Sequence, residues 1–424
     1  MNGRPVYVVG GIRTPFVKSM TTYFEVSTQK LMTDTLEALC QKYGLSGKSV
    51  GDVALGGVML GPSNWNLARE CVLGTSLAPD TPAYNVQRAC GTSLETTWHI
   101  ALKIAAGQIE SGIAGGVDSN SDLPISTSKG LTRKLLDLNR QKDFWGRLKT
   151  ILKFRPTDLI PQLPQVVEPR TGLSMGQHCE KMVQEWHVNR SEQDQLAFES
   201  HQKAARAYQE GFYDDLVMRG YYGLSQDAIV RADTSLEKLS KLKPAFDFSG
   251  KGTLTAGNST PLTDGAASVL LASEEECARH GWTPLARFVD AETAAVDFVH
   301  GEGLLMAPTI AVARLLKRNK LRLQDFDFYE IHEAFAGQVL CTLKAWESSE
   351  YCAKKGIGEP LGSIDRSKMN VKGGSVALGH PFGATGARIV ATLAKTLHQH
   401  GKGRGLISIC TAGGMGVAAI LEAV

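Results

Sequence analysis

The sequence predicts an α/β protein of two similar halves with a different region inserted between them, and three observations predict it. Strand-like and helix-like segments alternate along roughly the first 120 residues. The same order recurs after Pro308. Between the two, residues 123 to about 255 carry prolines at 156, 161, 164 and 169 and a long helical pattern over 191–209, which reads as an insertion.

In chain order, residues 6–10 form an apolar run that fits a buried strand, and 28–43 have helical periodicity stopped by Gly44. A second strand is expected over 53–58. After Cys90, residues 93–106 read as a helix and 112–117 as an apolar strand, which is α/β wiring. In the second half, 308–318 is helical and leads through LRLQDFDFYEI much as the first helix leads through LSGKSVGDVAL. GATGARIVATLAKTLHQHGKGRGLISIC can likewise be laid over CGTSLETTWHIALKIAAGQIESGIAGGV. A period this long means duplicated domains rather than a solenoid. Two such halves facing each other leave a crevice at strand ends and helix starts, where sites in these sheets lie.

The chain has 424 residues and a formal charge of only +3, enough for two to three domains and without a bias toward nucleic acid. No apolar run is long enough to span a bilayer. No charged and then apolar leader precedes the first strand, so a cytoplasmic location is expected. Eight cysteines lie scattered without metal-ligand spacing, so neither a disulfide scaffold nor a metal site is expected. His398 and His400, just before Gly401, read as an exposed helix end rather than as ligands. Within the insertion, residues 129–155 are rich in Lys and Arg and interleaved with Leu131, Leu135, Leu136, Phe144, Trp145, Leu148, Ile151 and Leu152. Such a stretch suits a membrane surface or a partner, or else a solvated helical face covering a substrate channel.

The chemistry centres on residues 370–388, NVKGGSVALGHPFGATGAR, where five glycines surround His380. That many glycines mark a backbone that something approaches closely. Cys90 opens a helix (ACGTSLE), where the partial positive charge of the helix N-terminus favours thiolate, so it is a candidate nucleophile with His380 as its base. Cys410 ends the strand LISIC and enters the crevice from the other half. Two thiols and an imidazole suit carbon-acid chemistry, one sulfur holding an acyl group while the other moves a proton. The following CTAGGMG offers backbone N–H groups for an oxyanion hole. Too little chain follows Gly416 for AGGMG to be a dinucleotide loop, and VVGGIRTP lacks the GxGxxG spacing.

With NVQRACGTS, TAGNSTPLTDGAA, HEAFA, GGSVALGHPFGATGAR and CTAGGMGVAA in this order, the chain resembles the thiolase family along essentially its whole length. The resemblance implies the five-layered αβαβα thiolase fold, made of two duplicated αβα core domains with an inserted loop domain. The expected division is a core half over 1–122, the insertion over 123–255, a return to the first core over 256–276, and the second core half over 277–424. The resemblance implies Cys90 as the acyl-accepting nucleophile, His380 as its base and Cys410 as acid and base at the substrate α-carbon. It places one oxyanion hole at the N–H groups of Cys90 and Ala412, and a second at His380 with His332. Most simple thiolases have asparagine at the position of His332; histidine resembles the branch that includes the β subunits of fatty acid oxidation trifunctional complexes. Ser174, Met175, Thr260, Phe246 and Phe335 are expected along the pantetheine channel. Ala412 stands where a glycine is usual, which matters only if the backbone there needs positive φ.

The function so implied is 3-ketoacyl-CoA thiolysis in fatty acid β-oxidation, with coenzyme A as substrate and no cofactor. The resemblance also implies a homodimer or dimer of dimers, with a hydratase/dehydrogenase α subunit as candidate partner. The alternatives are a short-chain acetoacetyl-CoA thiolase, a decarboxylating ketoacyl synthase, which generally pairs Cys with two His, and a non-catalytic subunit that anchors a partner or a membrane through residues 129–155.

Overall fold

The computed structural model describes residues 1, 3–162, 164 and 167–424. Ten strands are assigned: β1 (Tyr7–Arg13), β2 (Val17–Lys18), β3 (Asp52–Leu55), β4 (Ala83–Asn85), β5 (Ser111–Asp118), β6 (Thr263–Ala272), β7 (Ala286–Ala295), β8 (Phe328–Ile331), β9 (Arg404–Thr411) and β10 (Met415–Glu422). They lie in the order β4-β3-β5-β6-β1-β7-β10-β9-β8, with β2 paired to β6 outside that path.

Read outward from its middle, this order is a pseudo-twofold repeat. In the first half β1 neighbours β6, then β5, then β3 and β4; in the second, β7 neighbours β10, then β9, then β8. Beyond β8, Met369 forms a parallel bridge with Tyr329 that stands where β4 stands beside β3. The β3/β5 and β8/β9 pairs are parallel and the inner pairs antiparallel in both halves. The halves meet along β1 and β7 through only two residue pairs, Tyr7↔Arg287 and Val8↔Ala286.

Helices complete the layers. The Thr92–Ala105 and Thr385–His400 helices occupy equivalent places in the two halves, pack against each other and touch strands of both. Gly386 makes that packing close, since a Cβ there would lie 2.2 Å from the Leu94 backbone nitrogen. Thr28–Tyr43 covers β6, β5 and β1, and Ala307–Asn319 covers β7 and β10. Most strand residues in both halves are buried, as sheets covered on both faces require.

The expected strand over 53–58 ends at Leu55, because at Gly56 the backbone passes so close to the Val86 carbonyl that a Cβ would sit 1.8 Å from its oxygen. His398 and His400 are exposed at the helix end, with Gly401 left-handed at φ 77°. In the insertion, Arg190–Gln209 is the long helix, while residues 129–155 form two short helices, Lys129–Arg140 and Phe144–Ile151. Among the described residues, no helix is long and apolar enough to cross a membrane.

Candidate active site

Cys90 is delivered by a strained turn. After β4 the chain reaches Ala89 at φ 43°, a left-handed conformation costly for alanine, and Gly91 then caps the Thr92–Ala105 helix. Thr92 Oγ1 locks the turn by accepting from the Arg88 N–H (2.9 Å) and donating to the Ala89 carbonyl (2.7 Å). His380 follows Gly379, whose φ of 100° only glycine adopts readily, and its own N–H donates to Thr263 Oγ1 at 2.8 Å. Asp118 at the end of β5 pins this loop across the crevice, accepting from the N–H groups of Gly383 (2.6 Å), Val58 (2.9 Å) and Met59 (2.7 Å). Burial pushes the Asp118 carboxyl up to about 6 against those bonds.

His332 and Cys410 arrive on neighbouring parallel strands, His332 one residue beyond β8 and Cys410 near the end of β9. The turn after Cys410 uses Gly413 (φ 75°) and Gly414 (φ 68°) in the left-handed region, whereas Ala412 is not among the positive-φ residues. The Ala412 substitution therefore fits the backbone. Glu168 from the insertion holds this turn, its Oε1 accepting from the Gly413 N–H at 2.6 Å.

These elements bring the sequence-predicted residues together. Cys90 Sγ and one ring nitrogen each of His332 and His380 lie within 4.8 Å of one another, and the two imidazole centroids are 4.2 Å apart. Cys90, His380, Cys410 and Ala412 line one cavity of about 250 Å³, together with Ser174, Met175, Phe246, Thr260 and Phe335. Phe246 and Phe335 meet edge to face at 5.7 Å. Ser174 has a second task, accepting from the Gln177 N–H as N-cap of the Met175–Glu185 helix. His332 lies outside the cavity lining, behind His380. Metal-ligand spacing is absent from the sequence, yet the fold converges a thiol and two imidazoles from positions 90, 332 and 380.

Electrostatics leave the site uncharged at neutral pH. Burial pushes the Cys90 thiol up to about 12, opposed by hydrogen bonds from the backbone N–H groups of Ala412 and Cys90 itself. Burial, and then the neighbouring Cys90, hold the Cys410 thiol well above its usual value. Burial lowers His380 to about 3, helped by the charge of Arg388. His332 is held well below its usual value by burial, then by His380 and Arg388.

The partners of the two Nδ1 atoms are compatible with opposite tautomers. Ser375 Oγ accepts from Arg388 Nη2 (2.6 Å) and lies 2.8 Å from His332 Nδ1. Having accepted from the guanidinium, the hydroxyl can give its own proton to Nδ1, an arrangement that leaves the His332 proton on Nε2 as a donor. Thr385 Oγ1 lies 2.5 Å from His380 Nδ1 and 3.5 Å from the Pro381 carbonyl. With the hydroxyl proton on that carbonyl, His380 is protonated on Nδ1 and its Nε2 lone pair is free to accept. Both Nε2 atoms are buried with no hydrogen-bond partner among the described residues. Sequence reading missed Ser375, Thr385, Asp118 and Glu168, which act through backbone or ring contacts; Ser375 and Thr385 do lie inside the glycine-rich stretch.

Two further cavities adjoin the first. One of about 490 Å³ shares Cys90, Met175, Phe382 and Ala412 with it and has Val58, Met59, Val167 and Met415 on its wall. Another of about 390 Å³ shares Pro261 and includes Lys18, His201, Arg231 and Lys238. None of the residues 129–155 lines any of the three.

The thiolase N-terminal domain model matches residues 6–275 and the thiolase C-terminal domain model residues 282–423. A 3-ketoacyl-CoA thiolase of Pectobacterium carotovorum is 42% identical over 426 aligned positions, spanning 99% of this chain and 97% of that protein. One from Yersinia pestis is 41% identical over the same shares. The crystal structure of human mitochondrial 3-ketoacyl-CoA thiolase superposes with a TM-score of 0.81 at 28% identity, covering 99% of each chain. A thiolase from Ascaris suum in complex with coenzyme A does so at 0.81 and 25%, covering 99% of this chain and all of that one. Matched by family models over nearly its whole length and sharing the thiolase architecture, the chain belongs to the thiolase family.

Proposed function

We propose that the chain is a 3-ketoacyl-CoA thiolase, an acetyl-CoA C-acyltransferase that works through an acyl-enzyme on Cys90. The observation that carries this reading is the convergence of Cys90, His380 and Cys410 on one cavity, with a ring nitrogen of His332 within 4.8 Å of Cys90 Sγ and of a ring nitrogen of His380. Cys90 Sγ attacks the C3 ketone of the substrate while its proton passes to His380 Nε2; neutral thiol and neutral imidazole make this a proton transfer concerted with bond formation. The N–H groups of Cys90 and Ala412, already bonded to the sulfur, supply the oxyanion hole. Cleavage of C2–C3 leaves an acetyl-CoA enolate, whose thioester oxygen is stabilised by the Nε2–H of His332 and by His380, now protonated. Cys410 gives its proton to the α-carbon. Coenzyme A thiol then takes the acyl group from Cys90, and the reverse course is a Claisen condensation.

The three cavities support a division of the substrate. Pantetheine fits the one lined by Ser174, Met175, Phe246, Thr260 and Phe335, and the cationic rim with Lys18, Arg231 and Lys238 suits the phosphates of coenzyme A. The cavity of about 490 Å³ beside Cys90, mainly apolar but with Gln87, Arg88 and Glu168 on its wall, has room for a medium or long acyl tail, which favours a role in fatty acid β-oxidation over a short-chain acetoacetyl-CoA thiolase. Coenzyme A enters as substrate, and the mechanism calls for no cofactor. The division into 1–122, 123–255, 256–276 and 277–424 is supported by β6, which rejoins the first half-sheet after the insertion. Family likeness supports a homodimer or dimer of dimers, a hydratase/dehydrogenase subunit as partner and a cytoplasmic location; sedimentation with and without that subunit tests the assembly.

Intact-protein mass after incubation with a 3-ketoacyl-CoA and no free coenzyme A tests the chemistry. An acyl adduct on the wild type that is lost in Cys90→Ala supports it. A folded protein without adduct and without thiolysis of any 3-ketoacyl-CoA chain length sinks it and favours the non-catalytic subunit.

A further inference from the structure

Cys90, His332 and His380 come from three distant segments, yet among the described residues they form the one group of three thiol, imidazole or carboxylate side chains close enough to share a metal ion. Their ligand atoms lie within 4.8 Å of one another. Around a tetrahedral zinc ion, sulfur and nitrogen ligands stand about 3.4–3.6 Å apart, so the three close on an ion by shifts of about 1 Å. Cys90, the least buried of them, opens on the cavity of about 250 Å³ that gives an ion its way in.

The two imidazoles are set up as ligands. Their Nε2 atoms have no hydrogen-bond partner among the described residues, although His332 and His380 are only 1% and 3% exposed. Orphaned nitrogens are uncommon at such depth, and each offers a lone pair when its ring carries the proton on Nδ1. At His380, Thr385 Oγ1 lies 2.5 Å from Nδ1 to receive that proton. At His332 the proton moves from Nε2 to Nδ1, where Ser375 Oγ, 2.8 Å away, has a second lone pair beside the one that accepts from Arg388. A hydroxyl behind each ring fixes its orientation, as the outer partners of metal-bound histidines do.

The donor set selects the ion. One thiolate and two imidazoles suit zinc and its congeners, whereas Mg²⁺ and Ca²⁺ need oxygen ligands, and no carboxylate belongs to the group. As the sulfur–metal bond forms, the S–H bond breaks and its proton leaves to solvent, so one net positive charge remains. The carboxylates of Asp118 and Glu168, whose charges act on Cys90, offset it. The Arg388 guanidinium behind Ser375 works against it, tempered by Glu330 at 3.7 Å.

We propose that Cys90, His332 and His380 reversibly bind a zinc-class divalent cation, with its fourth coordination position facing the cavity, and that the bound ion silences the site. It occupies the sulfur that attacks the substrate, the His380 lone pair that takes its proton and the His332 Nε2 that meets the enolate. The silencing rests on the thiolysis proposed above; the binding does not.

Titration of the full-length protein with Co²⁺ alone, without coenzyme A, tests the binding. A near-ultraviolet sulfur-to-cobalt band and visible bands of tetrahedral strength should saturate at one ion per chain and be displaced by Zn²⁺, which stands later in the affinity order. Zn²⁺ should slow alkylation of Cys90 by iodoacetamide about tenfold or more, with recovery on chelation, whereas Mg²⁺ has no effect. His332→Asn, which places there the residue of most simple thiolases, should weaken Co²⁺ binding about 100-fold, and Cys90→Ala should abolish the near-ultraviolet band; circular dichroism checks that both fold. Absence of the band in millimolar Co²⁺, its survival in Cys90→Ala, or equal affinity in His332→Asn overturns the proposal. Thiolysis that continues undiminished with the ion bound overturns the silencing. The expected spectra in a chain that shows no thiolysis of any 3-ketoacyl-CoA support the metal site and count against the thiolase reading alone.

Discussion

Replacing Ser375 with alanine separates orientation from chemistry at His332. The hydroxyl links the buried Arg388 guanidinium to His332 Nδ1, at 2.6 and 2.8 Å. Without it, His332 loses the partner that holds its proton on Nε2, and two buried polar groups lose a bond at a cost of about 1–3 kcal/mol each. Losing one properly oriented oxyanion donor costs about 100-fold in rate; a ring that still samples the right tautomer retains part of that, so kcat should fall about 10- to 100-fold, or about 1.4–2.7 kcal/mol. KM should stay within about threefold, because in the proposed mechanism the donor acts on the enolate rather than on the bound ketone. Ser375→Thr, which keeps the hydroxyl, should restore most of the rate. Steady-state thiolysis measures these values, and alkylation of Cys90 by iodoacetamide, which needs no enolate stabilisation, should proceed at the wild-type rate. A folded Ser375→Ala enzyme with undiminished kcat would refute the tautomer assignment.

Because the Cys90 thiol is pushed up to about 12, its alkylation in the free enzyme should accelerate about tenfold per pH unit from pH 7 to 10; a plateau below pH 8 would reveal a pre-formed thiolate–imidazolium pair. Glu330 is raised from 4.5 to about 8, first by burial and then by Glu333, with Arg388 opposing. A raised carboxyl means that the folded state holds its proton longer, so stability declines as pH rises from about 4.5 to about 8, by up to about 5 kcal/mol. Thermal melts of Glu330→Gln should lose this decline, and an unchanged pH profile would exclude Glu330 as its source. Gly386→Ala, whose Cβ would meet the Leu94 backbone at 2.2 Å, should destabilise by about 3 kcal/mol, whereas Gly44→Ala, at φ 64° in open space, should cost about 1 kcal/mol in denaturant titrations.

The repeat was legible because strand, helix and turn order survive in the sequence: the alignment of LISIC with GIAGGV places Cys410 where Val117 lies, and β9 and β5 occupy equivalent positions in the sheet. Cys90 and His380 stood out through local signals, a helix start and a cluster of glycines. Asp118 did not, because its task is to accept N–H groups from residues 58, 59 and 383, and no local pattern records such distant partners. His332 drew notice only through the HEAFA segment, and its link to Ser375 and Arg388 exists only once β8 and the glycine-rich stretch fold together. For the 129–155 stretch the charge and aromatic pattern were legible in the sequence, whereas the exposure of Phe144, Trp145 and Leu152 depends on what the folded core leaves uncovered.

The site is a seam rather than a pocket in one body: His380, from the second half, reaches Cys90 only because Thr263 takes the His380 N–H and Asp118 takes the Gly383 N–H across the crevice. Loosening these ties would part sulfur from imidazole while the strands stay paired. Turnover in mild denaturant should therefore fade ahead of the far-ultraviolet circular dichroism signal, and coincident midpoints would mean that the ties and the strands are lost together.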